Sequence, residues 1–147
     1  IMQGNKFCIT ASNMICWYNG KTQWSYSTMS NEVSIMEPTA SELQVVNPFS
    51  VISNFQTAYT ATLMKGNASS NIVQLKPKNA RTSQFSQVVV TISKKNNLPS
   101  KIVATMRDKS KISITLSGYR TGGNFPASTF VYNKKYVPAG TQVVDLR

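Results

Sequence analysis

The stretch Met14-Ile15-Cys16-Trp17-Tyr18-Asn19-Gly20-Lys21-Thr22-Gln23-Trp24-Ser25-Tyr26 places Asn-Gly between two runs rich in aromatic and other large side chains. Asn-Gly favours positive φ at both central positions of a type I′ turn, so the pattern predicts a two-residue hairpin. That turn sets Tyr18 opposite Lys21, Trp17 opposite Thr22, Cys16 opposite Gln23 and Ile15 opposite Trp24. Opposed residues share a face, and successive residues along a strand alternate between faces. One face then carries Ile15, Trp17, Thr22, Trp24 and Tyr26, and the other Met14, Cys16, Tyr18, Lys21, Gln23 and Ser25. Both tryptophans of the chain fall on one side of one hairpin. Such a face is either covered by a core or lines a place where something apolar binds.

Outward from the hairpin the pattern is mostly β. Lys6–Thr10, Met14–Tyr18 and Lys21–Ser27 read as a three-strand meander, with Asn31–Met36 as a fourth strand. Pro38 and Thr39-Ala-Ser-Glu42 then form a capping box that opens a helix over 39–46, with Ala40, Leu43 and Val46 on its apolar side. Asn47-Pro48 restarts the chain as cap and first helical residue, and Phe49, Ile52 and Phe55 follow at helical spacing over 48–55. A second meander comes next: Ala58–Met64, Asn71–Pro77, Phe85–Lys94, Lys101–Asp108 and Lys111–Tyr119. Val88, Val90 and Ile92 alternate with Gln87, Val89 and Thr91. Ile112, Ile114 and Leu116 alternate with Ser113, Thr115 and Ser117, an apolar-in, hydroxyl-out pattern. Thr129–Tyr132 and Gln142–Leu146 supply one or two last short strands.

Composition narrows the chemistry. The 147 residues suffice for one domain with a core, and no apolar run approaches the length that spans a bilayer. The chain has no histidine, which removes Ser-His-Asp and Cys-His nucleophile systems and all His-ligated zinc sites. Its five carboxylates, Glu32, Glu37, Glu42, Asp108 and Asp145, are scattered along the sequence. Thr121-Gly-Gly-Asn124 reads as a turn and not as a phosphate loop. The expectation is a protein with no catalytic centre, cofactor or metal. Cys8 and Cys16 stand opposite each other if a three-residue loop at 11–13 joins the first strands, which permits a disulfide. A slip of one residue puts them on opposite faces as two thiols.

The net charge is +11. The basic residues gather at turns and strand ends: Lys76, Lys78 and Arg81; Lys94, Lys95 and Lys101; Arg107, Lys109 and Lys111; Lys134 and Lys135. Such a distribution describes a solvated surface, or one drawn to an anionic membrane or an acidic partner. Nucleic acid is disfavoured, because the aromatics near the hairpin are not interleaved with the basic residues.

Together these segments resemble the LolA family, the periplasmic carriers of outer-membrane lipoproteins. Asn19-Gly-Lys-Thr-Gln-Trp-Ser-Tyr26 is similar to the family's D-G-K-T-x-W-x-Y segment, and Asn47-Pro-Phe-Ser-Val-Ile52 to the short helix after it. Asn97-Leu-Pro-Ser-Lys-Ile102 resembles the turn that introduces a strand of the family's second half. Phe125-Pro-Ala-Ser-Thr-Phe130 and Tyr136-Val-Pro-Ala-Gly-Thr-Gln-Val-Val-Asp-Leu-Arg147 resemble its C-terminal pattern. The match follows the family's order over nearly the whole chain.

The resemblance implies a mainly β (α+β) fold: an unclosed antiparallel β-barrel, a curved sheet with short helices over its concave apolar face. Residues 1–147 are expected to form a single LolA-like domain. Its beginning at Ile1, almost inside a strand, suggests that the family's N-terminal helix and first strands are missing. An arginine on one of those strands, which the family uses for ligand release, has no counterpart here. The implied lipid-lining set is Ile15, Trp17, Trp24, Tyr26, Leu43, Phe49, Ile52, Phe55, Val90 and Ile114. The implied function is a monomeric periplasmic carrier that shields lipoprotein acyl chains between an inner-membrane transporter and an outer-membrane acceptor. An acceptor of the same fold, a carrier of another lipid or glycolipid, and a basic nucleic-acid-binding β-domain are the alternatives.

Overall fold

A computed structural model describes residues 1–47, 51–52 and 55–147, with the side chains of residues 41, 44 and 45 left aside. The chain divides into two compact units, residues 1–39 with 121–147, and residues 40–120. The fold is mostly β, in two open sheets that do not close into a barrel.

The first unit holds β1 (Met2–Gln3), β2 (Lys6–Ala11), β3 (Met14–Tyr18), β4 (Gln23–Ser27), β5 (Glu32–Met36) and the C-terminal β11 (Gln142–Asp145), in that spatial order. The hairpin forms two residues out of the expected register: Trp17 faces Trp24, and Ile15 faces Tyr26. Its central pair is Gly20-Lys21. The Asn19 amide donates to the Thr22 carbonyl at 3.2 Å, and only Gly20 has positive φ, +101°. The Asn19 side-chain oxygen accepts from the Lys21 and Thr22 amides at 3.0 and 2.9 Å. Asparagine therefore braces the turn with its side chain, and glycine alone takes the left-handed position, as a Gly-X turn requires. A slip of two residues keeps every side chain on its face, so Ile15, Trp17, Trp24 and Tyr26 still lie together.

The β2–β3 turn is the two-residue Ser12-Asn13, which pairs Cys8 with Trp17 and Ile9 with Cys16. The cysteines consequently lie on opposite faces as free thiols. Two further differences concern the C-terminus. Thr129–Tyr132 is not a strand: after Pro126, residues Ala127–Phe130 form a 3₁₀ turn in which the Thr129 amide donates to the Pro126 carbonyl at 2.9 Å. β11 adds to β5 in parallel, not antiparallel, because the chain returns to the start of β5 before entering the sheet. Asn31 (φ +49°) tethers that return: its side-chain oxygen accepts from the Thr141 hydroxyl at 2.9 Å, and its carbonyl from the Gln142 amide at 3.2 Å.

The second unit holds α1 (Ala40–Val46), α2 (Phe55–Ala58) and a five-stranded antiparallel sheet. Its strands are β6 (Tyr59–Met64), β7 (Ser70–Pro77), β8 (Phe85–Ser93), β9 (Pro99–Met106) and β10 (Lys111–Thr115), ordered β10-β9-β8-β7-β6. α1 begins directly after Thr39, the expected cap, and the Asn47 amide closes it on the Leu43 carbonyl at 2.8 Å. Of the second expected helix, Val51 and Ile52 are helical, while Pro48, Phe49 and Ser50 lie outside the described residues.

Burial pushes the Cys16 thiol up to about 11, and raises that of the half-buried Cys8 as well. Both stay protonated near neutral pH, and only a thiolate attacks an electrophile. In the native protein at pH 8, a thiol reagent is expected to modify Cys8 slowly and Cys16 only on unfolding. Mass spectrometry after timed labelling reads this directly; rapid labelling of Cys16 would show that the β3 face is open.

Candidate ligand-binding site

The register of the second sheet sorts its side chains. Leu75, Val88, Ala104 and Ile112 stand in one cross-strand row, and Leu63, Val73, Val90, Ile102 and Ile114 in another. All lie on one face, with Tyr59, Ala61 and Ile92. The expected alternation of Val88, Val90 and Ile92, and of Ile112 and Ile114, is thus present. Val51, Tyr59, Leu75, Phe85, Val88, Val90, Ile102 and Ala104 form the buried core of this unit, and Ile52, Phe55 and Ala58 pack against it. Short helical stretches therefore do cover an apolar sheet face, within residues 40–120.

Beside that covered core the face remains open. A groove of about 400 Å³ is lined by Ile52, Phe55, Ala61, Leu63, Val73, Leu75, Val90 and Ile92. Every lining side chain is apolar and none is titratable. Leu63, on the edge strand β6, is 73% exposed although it belongs to the apolar face. A leucine in that position gains little from folding, and it extends the apolar wall of the groove to the sheet edge.

The hairpin aromatics occupy a different environment. Trp17, Tyr26 and Val33 are buried together, with Cys8, Ile15, Trp24, Tyr132 and Val137 packed around them. The Trp17 ring meets Tyr132 edge-on at 5.7 Å and Tyr136 at 6.5 Å. The C-terminal segment thus covers this face, and the partners of Ile52 and Phe55 described above belong to the second sheet. A cavity of about 590 Å³ adjoins it, with Ile15, Trp17 and Tyr136 beside Thr10, Ser128, Asn133 and Lys135. The Lys135 ammonium sits 4.9 Å from the Tyr136 ring centre. Its lining mixes hydroxyl, amide, cation and ring, and it is less suited to a hydrocarbon than the all-apolar groove.

Of the expected lining set, the structure brings Ile52, Phe55 and Val90 to the groove. Ile15, Trp17, Trp24 and Tyr26 gather in the first unit. Ile114 is half-buried in the row of Val90 and Ile102, and Leu43 is half-buried on α1. Phe49 lies outside the described residues. The sequence reading missed Ala61, Leu63, Val73, Leu75 and Ile92 as lining residues. The signal of Ala61, Leu63, Val73 and Leu75 is present in Tyr59-Thr-Ala-Thr-Leu63 and Val73-Gln-Leu75, which alternate with the same period of two.

A family model described as "Outer membrane lipoprotein carrier protein LolA" matches residues 1–110. The chain belongs to the LolA family. No curated protein matches the sequence. A solved structure, an uncharacterized conserved protein from Thermus thermophilus, aligns over 95% of this chain at 12% identity and a TM-score of 0.44. This chain spans 66% of that protein's length. Among the described residues, no helix is long and apolar enough to cross a membrane, and no three His, Cys, Asp or Glu side chains come together as metal ligands.

Wall and core are separable by stability. Ile102→Ala, at a fully buried position, is expected to cost about 2–5 kcal/mol in urea unfolding. Leu63→Ala is expected to stay within about 0.5 kcal/mol of the parent. A loss at Leu63 as large as that at Ile102 would make Leu63 part of the core.

Proposed function

We propose that this protein is a lipoprotein carrier that shields acyl chains in the groove of residues 40–120. The observation that carries the reading is the groove itself: eight apolar side chains, no polar one, and an exposed Leu63 at its edge. Its volume falls in the usual range of ligand pockets, about 300–1,000 Å³. Each methylene moved from water into such a groove contributes about 0.8 kcal/mol. Exposed apolar surface on a free protein is unfavourable, so an occupant lowers the free energy of both partners. Ile52 and Phe55 are helical residues at the groove that also pack on its core, so a small shift of either would adjust the opening. Binding of this kind needs no bond made or broken, and it leaves the cargo releasable.

In this reading residues 1–147 act as one LolA-like domain, monomeric and in the periplasm. The cargo is an acylated lipoprotein, received from an inner-membrane transporter and passed to an outer-membrane acceptor. Ile52, Phe55, Val90 and Leu63 line the chain's path. Trp17, Trp24 and Tyr26 contribute through the stability of the first unit.

The test is fluorescence titration with a fatty-acid probe beside thermal melts. Leu63→Glu is expected to weaken binding at least tenfold, about 1.4 kcal/mol, with little change in melting temperature. Trp24→Glu is expected to lower the melting temperature instead. A parent protein that binds no acyl probe would overturn the carrier reading. Unaltered binding by Leu63→Glu would move the site away from the groove.

A further inference from the structure

The charge of the chain is concentrated in one of its units. Eleven of the 16 basic residues, but only Glu42 and Asp108 of the five acids, fall within residues 40–120, which therefore carry +9 of the +11. Strands β6–β10 contain no carboxylate. Among the described residues the ion pairs are Lys21–Glu37 and Asp145–Arg147, both in the first unit.

The register shows where this charge points. Opposite the apolar face, Gln87, Thr105 and Lys111 form one cross-strand row, and Met64, Ile72, Thr91, Lys101 and Thr115 another. Between them run Thr62, Gln74, Val89, Val103 and Ser113, and Lys76 pairs with Thr60 at the edge. No residue of these rows is buried, and Lys76, Lys101 and Lys111 are exposed. Lys94 and Lys95 border the face from the turn after β8, and Arg107 and Lys109 from the turn after β9.

We propose that this outer face docks on an anionic phospholipid bilayer. The ammonium groups, with the hydroxyls and amides beside them and no carboxylate on these strands, suit a layer of phosphates, which offers negative charge and acceptors over an extended plane, and the exposed Met64 at the edge suits the same surface. Nucleic acid suits the face less well, because none of its residues is aromatic and bases would find nothing to stack on. Docking through this face leaves the apolar groove on the other face of the same sheet unobstructed. The inference goes beyond the carrier reading and stands on charge and register alone.

Vesicle flotation tests it, with phosphatidylcholine vesicles that contain either no anionic lipid or about one-third phosphatidylglycerol. The parent protein is expected to float with the anionic vesicles only. Raising salt from about 0.1 M to about 1 M, which shortens the screening length from about 10 to 3 Å, should reduce binding more than tenfold. Each outer-face lysine removed is expected to weaken partition about fivefold, so Lys76→Gln, Lys101→Gln and Lys111→Gln together should lose about a hundredfold. Lys134→Gln with Lys135→Gln should lose far less. If the triple variant melts early, Lys101→Gln alone provides the fivefold reading. Equal binding to both vesicle types, parent-like binding by the folded lysine variants, or preferential binding of duplex DNA over the vesicles would overturn the proposal. Acyl-probe titration of the same variants is expected to be unchanged, which keeps this outcome distinct from that of the carrier reading.

Discussion

Side chains of a strand alternate between its faces, and hydrogen bonding between strands locks that alternation across a whole sheet. In β6–β10 the two sets of residues differ sharply: every lysine within the strands lies on one face and every buried aliphatic on the other. One face takes Leu75, Val88, Val90, Ile102 and Ala104, all buried, and the other takes the lysines with threonines and glutamines, among which Ile72, Val89 and Val103 are the half-buried aliphatic members. A slip of one residue anywhere in the ladder would exchange the faces of that strand and place aliphatic groups among lysines. At about 25 cal/mol per Å² of apolar area, several exposed aliphatic side chains would outweigh the few kcal/mol that stabilise a domain. The groove, its cover and the basic surface are consequences of this single register.

The same rule operates in the first unit with a different outcome. Its hairpin aromatics stay on one face through a two-residue change of register, and then meet the returning C-terminal segment. Tyr132, Tyr136 and Val137 supply the cover, and the tether at Asn31 with the parallel strand β11 holds that return in place. Two aromatic or aliphatic faces in one chain therefore serve different ends. One is closed by the chain's own C-terminal segment and contributes stability; the other stays partly open.

Much of this was legible in the sequence because it depends on periods and turn residues. Strand positions, the apolar face of β8 and β10, the start of α1 after Thr39 and the shared face of Trp17 and Trp24 all follow from local patterns. The hairpin register did not follow, since Asn19-Gly20 is compatible with either residue pair as the turn centre. Side-chain bracing by Asn19 decides between them. The fate of the thiols rested on one residue of loop length at 11–13, which composition does not encode. The parallel addition of β11 is a long-range choice of edge, and Thr129–Tyr132 has strand propensity that Pro126 and local hydrogen bonding override. Leu63 was missed because an exposed edge strand carries a weak pattern. Its role emerges only from Val73, Ile92 and Phe55 around it.

Membership of the LolA family gives this groove a functional context, and the all-apolar lining gives the physical one. The most direct measurement is methyl NMR of the parent protein with a fatty acid that carries a nitroxide near the end of its chain. The account predicts selective broadening of the methyl signals of Leu63, Val73, Val90 and Ile92, reversed by an unlabelled fatty acid. Broadening confined to Ile15 and its neighbours beside Trp17, or none that an unlabelled fatty acid reverses, would contradict it.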